Sequence, residues 1–317
     1  MCEVTIVIPN YKGKEYLLPC VQSLYEKDGT EKRILIVDNA SNDGSIEAVK
    51  EEYPEVECIL LDQNYGFCRA VNIGIKKADT PYVILLNNDT VIRENYVGYL
   101  LRAIKNAPDI FSVEPKMIQY HDQSRIDSAG TYYNALGWAF AYGKDKSVEK
   151  YNTPRKIFAA CAGAAIYRKE VFDKIGLFDE KHFAYLEDID VGYRARIAGY
   201  ENRYEPKAEV IHVGSAASGT RYNEFKIKIS SRNNVYLLYK NMPFGQKIFN
   251  SPFLFLGFLT KYIFFRSKGY GNLYLEGLKE GWHMGTKTDK VVFKGSNLKN
   301  YMKIQIELWI NIFRRLQ

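Results

Sequence analysis

"YVILLNNDTVI", Tyr82 to Ile92, decides the reading of the fold. A run of large apolar residues, the pattern of a strand buried on both faces, breaks off at Asn87, Asn88 and Asp89 into two amides and a carboxylate. Upstream, "VTIVIP" is followed by a helical pattern over Tyr16–Tyr25, "RILIVD" by one over Ser45–Tyr53, and "VECILL" by one over Gly66–Lys77. The quoted strand is itself followed by a helical pattern over Asn95–Ala107. This β-α alternation predicts a parallel sheet with helices on both faces, an α/β fold in which ligands bind at the carboxyl ends of the strands. The polar residues sit at those ends: Pro9, Asn10 and Tyr11, then Asp38 and Asn39, then Asn87 to Asp89.

Beyond this the pattern dissolves over Tyr120–Arg155, which reads as short strands and mobile loop, a wall for a second substrate. "FAACAGAAIYRKEVFDKIGLFDE" supplies small residues for close backbone approach and then a short helix. "FAYLEDIDVGYRARIAGY" reads as loop into helix, and "AEVIHVGSAAS" as a strand ending in a small-residue loop.

The 317 residues can bury a full core without staples. The five cysteines are scattered, odd in number and without a C-x-x-C pair, which points away from a disulfide framework or zinc site and fits a reducing cytoplasm. "MCEVTIVIPNYKG" enters a strand directly, so no signal peptide is expected. The net charge of +7 is uneven: from Thr220 onward there are 17 Lys and Arg against 5 Asp and Glu, and before it 27 against 32. Such a tail suits an anionic partner, a membrane surface or a nucleic acid, and its long apolar runs favour a membrane or a dimer interface over nucleic acid. "SPFLFLGFLTKYIFF" is shorter than the ~20 residues that span a bilayer, so no transmembrane helix is expected. The last stretch sets Met302, Ile306, Trp309, Phe313 and Leu316 on one helical face beside Lys299, Lys303, Arg314 and Arg315. It reads equally as an interfacial helix or as one packing on the catalytic domain or a second subunit. The organisation expected is a domain over 1–219 and a basic, aromatic-rich helical region over 220–317.

"VTIVIPNYKGKEYLLPCVQSL", "ILIVDNASNDGS", "NYGFCRAVNIGI", "YVILLNNDT", "GAAIYRKEVFDKIGLFDEKHFAYLEDIDVGYRARIAGY" and "AEVIHVGSAAS", in this order over Val4–Ser218, resemble the blocks of a family 2 glycosyltransferase. The N-N-D form and the F-D-E…E-D-x-D block are most similar to its rhamnosyltransferase-like branch. The resemblance implies a GT-A domain, Rossmann-like with a mostly parallel central sheet, and a C-terminal helical appendage. It also implies an inverting, Mg²⁺- or Mn²⁺-dependent transfer from a nucleotide sugar, dTDP-L-rhamnose or a UDP-hexose, to a lipid-linked or polymeric glycan. Such work would be done in the cytoplasm, peripherally on the membrane, by a monomer or a homodimer.

Separating a diphosphate from an anomeric carbon calls for positive charge at the pyrophosphate, which a divalent ion on hard oxygen ligands supplies. Asp89 is the candidate ligand by resemblance, with Asn87 standing where the family's D-x-D pattern has its first aspartate, and His212 is the second candidate. Capping of the following helix is the alternative for Asn87 to Asp89, and a simple satisfied polar group for His212. In "YLEDID" the clustered carboxylates raise one another's proton affinity, which suits a general base. By resemblance Asp188 is that base and Glu187 positions the acceptor or tunes it; helix N-capping is the alternative. Asp190 reads as structural, four residues from Arg194. For the nucleotide, Asp38 would accept the pyrimidine N3–H, Pro9, Asn10 and Tyr11 would form the base slot, and Asn88 would lie beside it. Gly66 permits a tight turn, Arg69 would meet a phosphate with Asn72 one turn on, and Gly163 would floor the donor sugar. A solvated Arg69 is the bland alternative. A sugar-nucleotide pyrophosphorylase would open with a Gly-rich loop that "IPNYKGKEY" lacks, and a non-catalytic relative would bind without turnover.

Overall fold

The structure, a computed structural model, describes residues 2–214, 223–287 and 290–316. The first half follows the expected alternation: β1 (Val4–Asn10), α1 (Leu17–Glu26), β2 (Arg33–Asp38), α2 (Ser45–Glu52), β3 (Glu57–Leu60), α3 (Phe67–Lys77) and β4 (Tyr82–Leu85). The four strands lie parallel in the order β3-β2-β1-β4. Every residue of β1 and β4 is buried, as strands covered on both faces must be. Because β2 and β3 lie on one side of β1 and β4 on the other, the chain reverses its winding between β1 and β4. That switch point opens a crevice at the strand ends.

After the Asn87–Asp89 turn the chain makes β5 (Thr90–Ile92) before α4 (Tyr96–Lys105) begins. The intervening strand rules out helix capping by Asn87, Asn88 or Asp89. Next come β6 (Ile110–Gln119), β7 (Ile126–Ser128), β8 (Thr131–Tyr133), β9 (Ala139–Ala141), β10 (Arg155–Ile157), β11 (Ile166–Arg168), α5 (Lys169–Ile175), α6 (Glu187–Ile197) and β12 (Glu201–His212). β11 slots antiparallel between β4 and β6, and β12 lies parallel to β6, giving the order β10-β12-β6-β11-β4-β1-β2-β3, with β5 pairing β12 and β7 pairing β6. The sheet is therefore mostly parallel with one reversed inner strand.

Of the short strands and mobile loop expected over Tyr120–Arg155, the short strands are present, and the segment is mostly packed. β7 joins the main sheet, β8 and β9 form a hairpin, and Ile126, Tyr132, Tyr133 and Ala135 enter the main apolar cluster. Strands of three residues are too short to show a period, so this order left no pattern to read.

Four helices close the chain: α7 (Glu224–Asn241), α8 (Phe244–Ser267), α9 (Gly271–Thr286) and α10 (Leu298–Arg314). α9 presses against α7 through Gly277, Gly281 and Gly285, four residues apart. A Cβ at Gly281 would lie 2.2 Å from the Arg232 carbonyl oxygen, so only glycine admits so close a crossing. The expected boundary at 219/220 and the Ser215–Ser218 loop lie outside the described residues. α7 packs on α6, and Asn241 and Lys240 reach Asp190 at 2.7 and 3.1 Å. The helices are thus built onto the α/β domain. The apolar run lies within α8, which extends beyond it at both ends and at 24 residues is, by length and composition alone, long and apolar enough to cross a membrane.

Candidate active site

Across the switch point, Asn10 ends β1 and pairs in register with Asp38 at the end of β2. Its amide nitrogen donates to Asp38 at 2.7 Å and lies within bonding reach of Ser41 and Ser45, while its oxygen accepts from Asn88 at 2.6 Å. Asp38 also accepts from the Ser41 hydroxyl and backbone N–H. The network is buried and tight: a Cβ at Gly13 would sit 2.1 Å from the Asn10 oxygen. Asn10, Asp38 and Asn88 are brought together as expected, but much of the Asp38 carboxylate's accepting capacity is spent inside the protein. Pro9 is buried in the strand and Tyr11 half-exposed just beyond it.

Gly66 has φ +84°, and a Cβ there would lie 2.5 Å from the Phe183 ring, so the turn before α3 admits no side chain. Arg69 is exposed, with its guanidinium 3.8 Å above the Tyr65 ring. Such stacking fixes the plane of the fork while leaving its N–H groups available to a phosphate. Asn72 is not brought to the nucleotide side: it is buried and bonded to the Phe178 backbone through both its nitrogen, 2.8 Å, and its oxygen, 3.1 Å. A side chain that satisfies another segment's backbone has no sequence signature that separates it from a ligand contact.

The turn after β4 is pinned on two sides. The Asn87 N–H donates to the Gly163 carbonyl at 2.8 Å, and the Val213 N–H to the Asp89 carbonyl at 3.0 Å. A Cβ at Gly163 would come 2.8 Å from the Asn87 amide nitrogen. Register sets His212 opposite Thr90, so the imidazole and the Asp89 carboxylate are neighbours, Nε2 to Oδ1 3.4 Å. Nδ1 of the same ring meets Asp127 Oδ2 at 2.8 Å, and Asp127 also pairs with Lys144 at 2.6 Å. Burial alone would push the His212 pKa down, but the bonds and charges of Asp127 and Asp89 outweigh it and raise it to about 10. A carboxylate behind a histidine, fixing which nitrogen faces forward, is the arrangement that supports metal-ligating histidines. Asp127 comes from the stretch that showed no periodicity, and sequence reasoning missed it.

Among the described residues, no three His, Cys, Asp or Glu side chains converge as a ready metal cage. Asp89 and His212 are the pair of side chains that could hold an ion here, with Asp127 on the far side of the ring. This donor set fits a divalent ion that takes its remaining ligands from substrate and water.

The catalytic block shows a different construction. Phe183, Tyr185 and Leu186 all have positive φ, at +64°, +70° and +67°. Each costs a non-glycine residue about 1–3 kcal/mol and persists only where its surroundings impose it. The strap is supplied by α7: the Asn233 amide nitrogen, fully buried, lies 2.9, 2.8 and 2.8 Å from the carbonyl oxygens of His182, Ala184 and Tyr185. Arg232 donates to Lys181 and His182 carbonyls. The contorted loop leads directly into Glu187 and Asp188 at the start of α6. Burial, and for Glu187 also the charge of Asp188, raises both carboxyls well above the usual carboxylate range. Glu187 Oε2 is buried and makes no hydrogen bond to another side chain or backbone group.

Asp190 is structural, as its spacing predicted. It is buried, held well below the usual range despite burial by Arg194 and Lys240, and bonded to Asn241. α6 is joined to the rest of the site by contact: Gly192 lies against Ala159, where a Cβ would meet its methyl at 2.5 Å. The segment from Phe158 to Ala165 thus runs from α6 to Asn87. Glu114 anchors it, accepting from the Cys161 N–H at 2.9 Å and from Ser128, Gly130 and Thr131 while fully buried.

Known proteins bear on this geometry. The profile of "Glycosyl transferase family 2" matches residues 5–176, more than half of the chain. The N-acetylglucosaminyl-diphospho-decaprenol L-rhamnosyltransferase of Mycobacterium tuberculosis is 29% identical over 212 residues, covering 59% of this chain and 68% of that protein. The poly-beta-1,6-N-acetyl-D-glucosamine synthase of Staphylococcus epidermidis is 24% identical over 207 residues, 65% of this chain and 48% of that one. Among solved structures, GalNAc-T7 with UDP, GalNAc and Mn²⁺ superposes with a TM-score of 0.61 at 17% identity, over 75% of this chain and 48% of that chain. That likeness shows the fold, the GT-A arrangement. With the switch-point crevice and the N-N-D turn at the strand ends and the E-D-x-D block at the head of α6, the chain belongs to glycosyl transferase family 2.

Proposed function

We propose that the protein is an inverting glycosyltransferase that moves a sugar, L-rhamnose from dTDP-L-rhamnose, to a hydroxyl of a lipid-linked or polymeric glycan in cell-surface polysaccharide synthesis. The observation that carries the chemistry is the half-buried pair Glu187 and Asp188, with raised proton affinity, at the head of a strapped helix. Asp188 takes the proton of the acceptor hydroxyl as its oxygen bonds to the anomeric carbon and the bond to the diphosphate oxygen breaks. A carboxylate of raised pKa holds that proton more firmly than an ordinary one. Glu187 holds the acceptor or tunes its neighbour. Asn10, Asp38 and Asn88 form the polar end of the nucleotide crevice, with Pro9 and Tyr11 beside the base. Gly66 and Arg69 serve the phosphates, and Gly163 leaves room for the sugar. Asn72 serves by fixing the Phe178 backbone.

Asp89 and His212 would hold a divalent ion, Mg²⁺ or Mn²⁺, which supplies positive charge at the pyrophosphate. The rhamnosyl donor is supported by the N-N-D form and by the mycobacterial relative's name. A UDP-hexose stays in view because Asp38 accepts a donor that uracil and thymine share. The five free cysteines support work on the cytoplasmic side.

Incubation with a panel of dTDP- and UDP-sugars and Mn²⁺, with release of nucleoside diphosphate as readout, tests the reading. Release is expected with dTDP-L-rhamnose above the other donors. Preference for a UDP-hexose would replace the donor, and binding without release from any donor would make the chain a non-catalytic relative.

A further inference from the structure

We propose that the outer faces of α8, α9 and α10 form one docking surface for an anionic lipid bilayer, with α8 lying along the membrane plane. The inference goes beyond the reaction and holds whichever sugar is moved. Among the described residues, 24 large apolar side chains stand exposed, and 20 of them fall from Phe244 onward. They include Phe249 and Phe255 on α8, at 68% and 71% exposure, Trp282 on α9, and Trp309, Ile310 and Phe313 on α10. A soluble monomer does not carry an apolar surface of this extent without a partner.

α10 shows that this face is not simply its packing face. Its inner side is Tyr301, Ile304, Leu308 and Asn311, all buried, while Met302, Ile306, Ile310 and Phe313 stand exposed and Trp309, partly exposed, donates its indole N–H to Asn250 of α8 at 3.2 Å. Inside, the first part of α8 is tied to the α/β domain and to α10. Gln246 bonds to Tyr193 and to the Tyr301 backbone, Asn250 to Gln305, and the Gly257 carbonyl accepts from Trp138 at 3.1 Å. At 24 residues α8 would span about 36 Å. It cannot cross a bilayer while its inner side holds polar bonds to the catalytic domain, since lipid tails offer no replacement partners. Lying half-sunk at the interface satisfies both sides.

Charge selects the occupant. From Phe244 to the end there are 12 Lys and Arg against 4 Asp and Glu. A twofold dimer would press this basic surface against itself, because such an interface pairs one patch with the same patch. Anionic headgroups attract it.

The test is sedimentation of the full-length protein with vesicles of phosphatidylcholine alone or with one-third phosphatidylglycerol. Binding is expected with the anionic vesicles, falling at high salt, with a blue shift of tryptophan emission. The double variant F255E/F313E should lose at least tenfold in bound fraction, while L60E, an equally exposed site at the far edge of the sheet, should bind as the parent does. Unchanged circular dichroism and thermal midpoint show that the fold survives. No binding by the parent, equal binding to neutral vesicles, or a parent dimer that F255E/F313E converts to monomer without any vesicle binding would each overturn the proposal.

Discussion

Asn10, Asp38 and Asn88 anchor one another at the ends of β1, β2 and β4, while the loop that leads into Glu187 and Asp188 at the start of α6 is held by α7. The first region is built from strand register, and its side chains are satisfied and its strand backbone regular. The second sits behind three residues of positive φ, and Asn233 and Arg232 of α7 hold its carbonyls. A nucleotide crevice can be preformed by the sheet alone. Two carboxylates crowded at a helix start repel each other and must be imposed by contacts made elsewhere.

The widest separation between the two regions should come from Asp188→Asn. Donor affinity by calorimetry is expected to stay within a few fold of the parent, and turnover to fall by about 10²-fold or more, as for loss of a general base. In the parent, the acidic limb of kcat/KM should lie above pH 5 rather than near pH 4, the ordinary aspartate range, because burial raises the group that must lose its proton. Turnover near the parental level, or a limb at the ordinary value, would remove Asp188 from the role.

A smaller effect, confined to the donor side, is expected from Asp127→Asn. Losing the carboxylate behind His212 should weaken Mn²⁺ binding by about 10–100-fold, the usual range for such supports. Mn²⁺ titration followed by electron paramagnetic resonance, with nucleoside diphosphate present, reads it. Excess metal should restore most of the turnover in this variant and none in Asp188→Asn. If metal affinity does not change, His212 is not a supported ligand.

The legibility of the sequence follows the same division. β1 to β4 announce themselves because both faces are buried and the apolar run ends on polar residues. The Asp190–Arg194 pair was readable because helix geometry fixes spacing four apart as contact. Asp127, Glu114 and Asn233 were not readable, for three different reasons. Asp127 lies in strands too short for a period. Glu114 is fully buried within a buried strand, and a carboxylic residue among those apolar neighbours was the signal available. Asn233 lies in a polar stretch of α7, "SSRNN", whose partners are backbone atoms some fifty residues earlier, and backbone acceptors leave no trace in residue type. α8 is longer than its apolar run because its polar flanking residues are helical too.

Asn233→Ala beside Asn234→Ala tests most directly that α7 sets the geometry of the carboxylates. Both amides are buried on adjacent positions, but Asn234 bonds Tyr133 and the Gly137 carbonyl, away from the loop before α6. Each variant should lose about 1–3 kcal/mol of stability from unpaired buried groups. With donor affinity unchanged in both, turnover should fall about tenfold or more in Asn233→Ala and stay near the parent in Asn234→Ala. An equal fall in both, or parental turnover in Asn233→Ala, would contradict it.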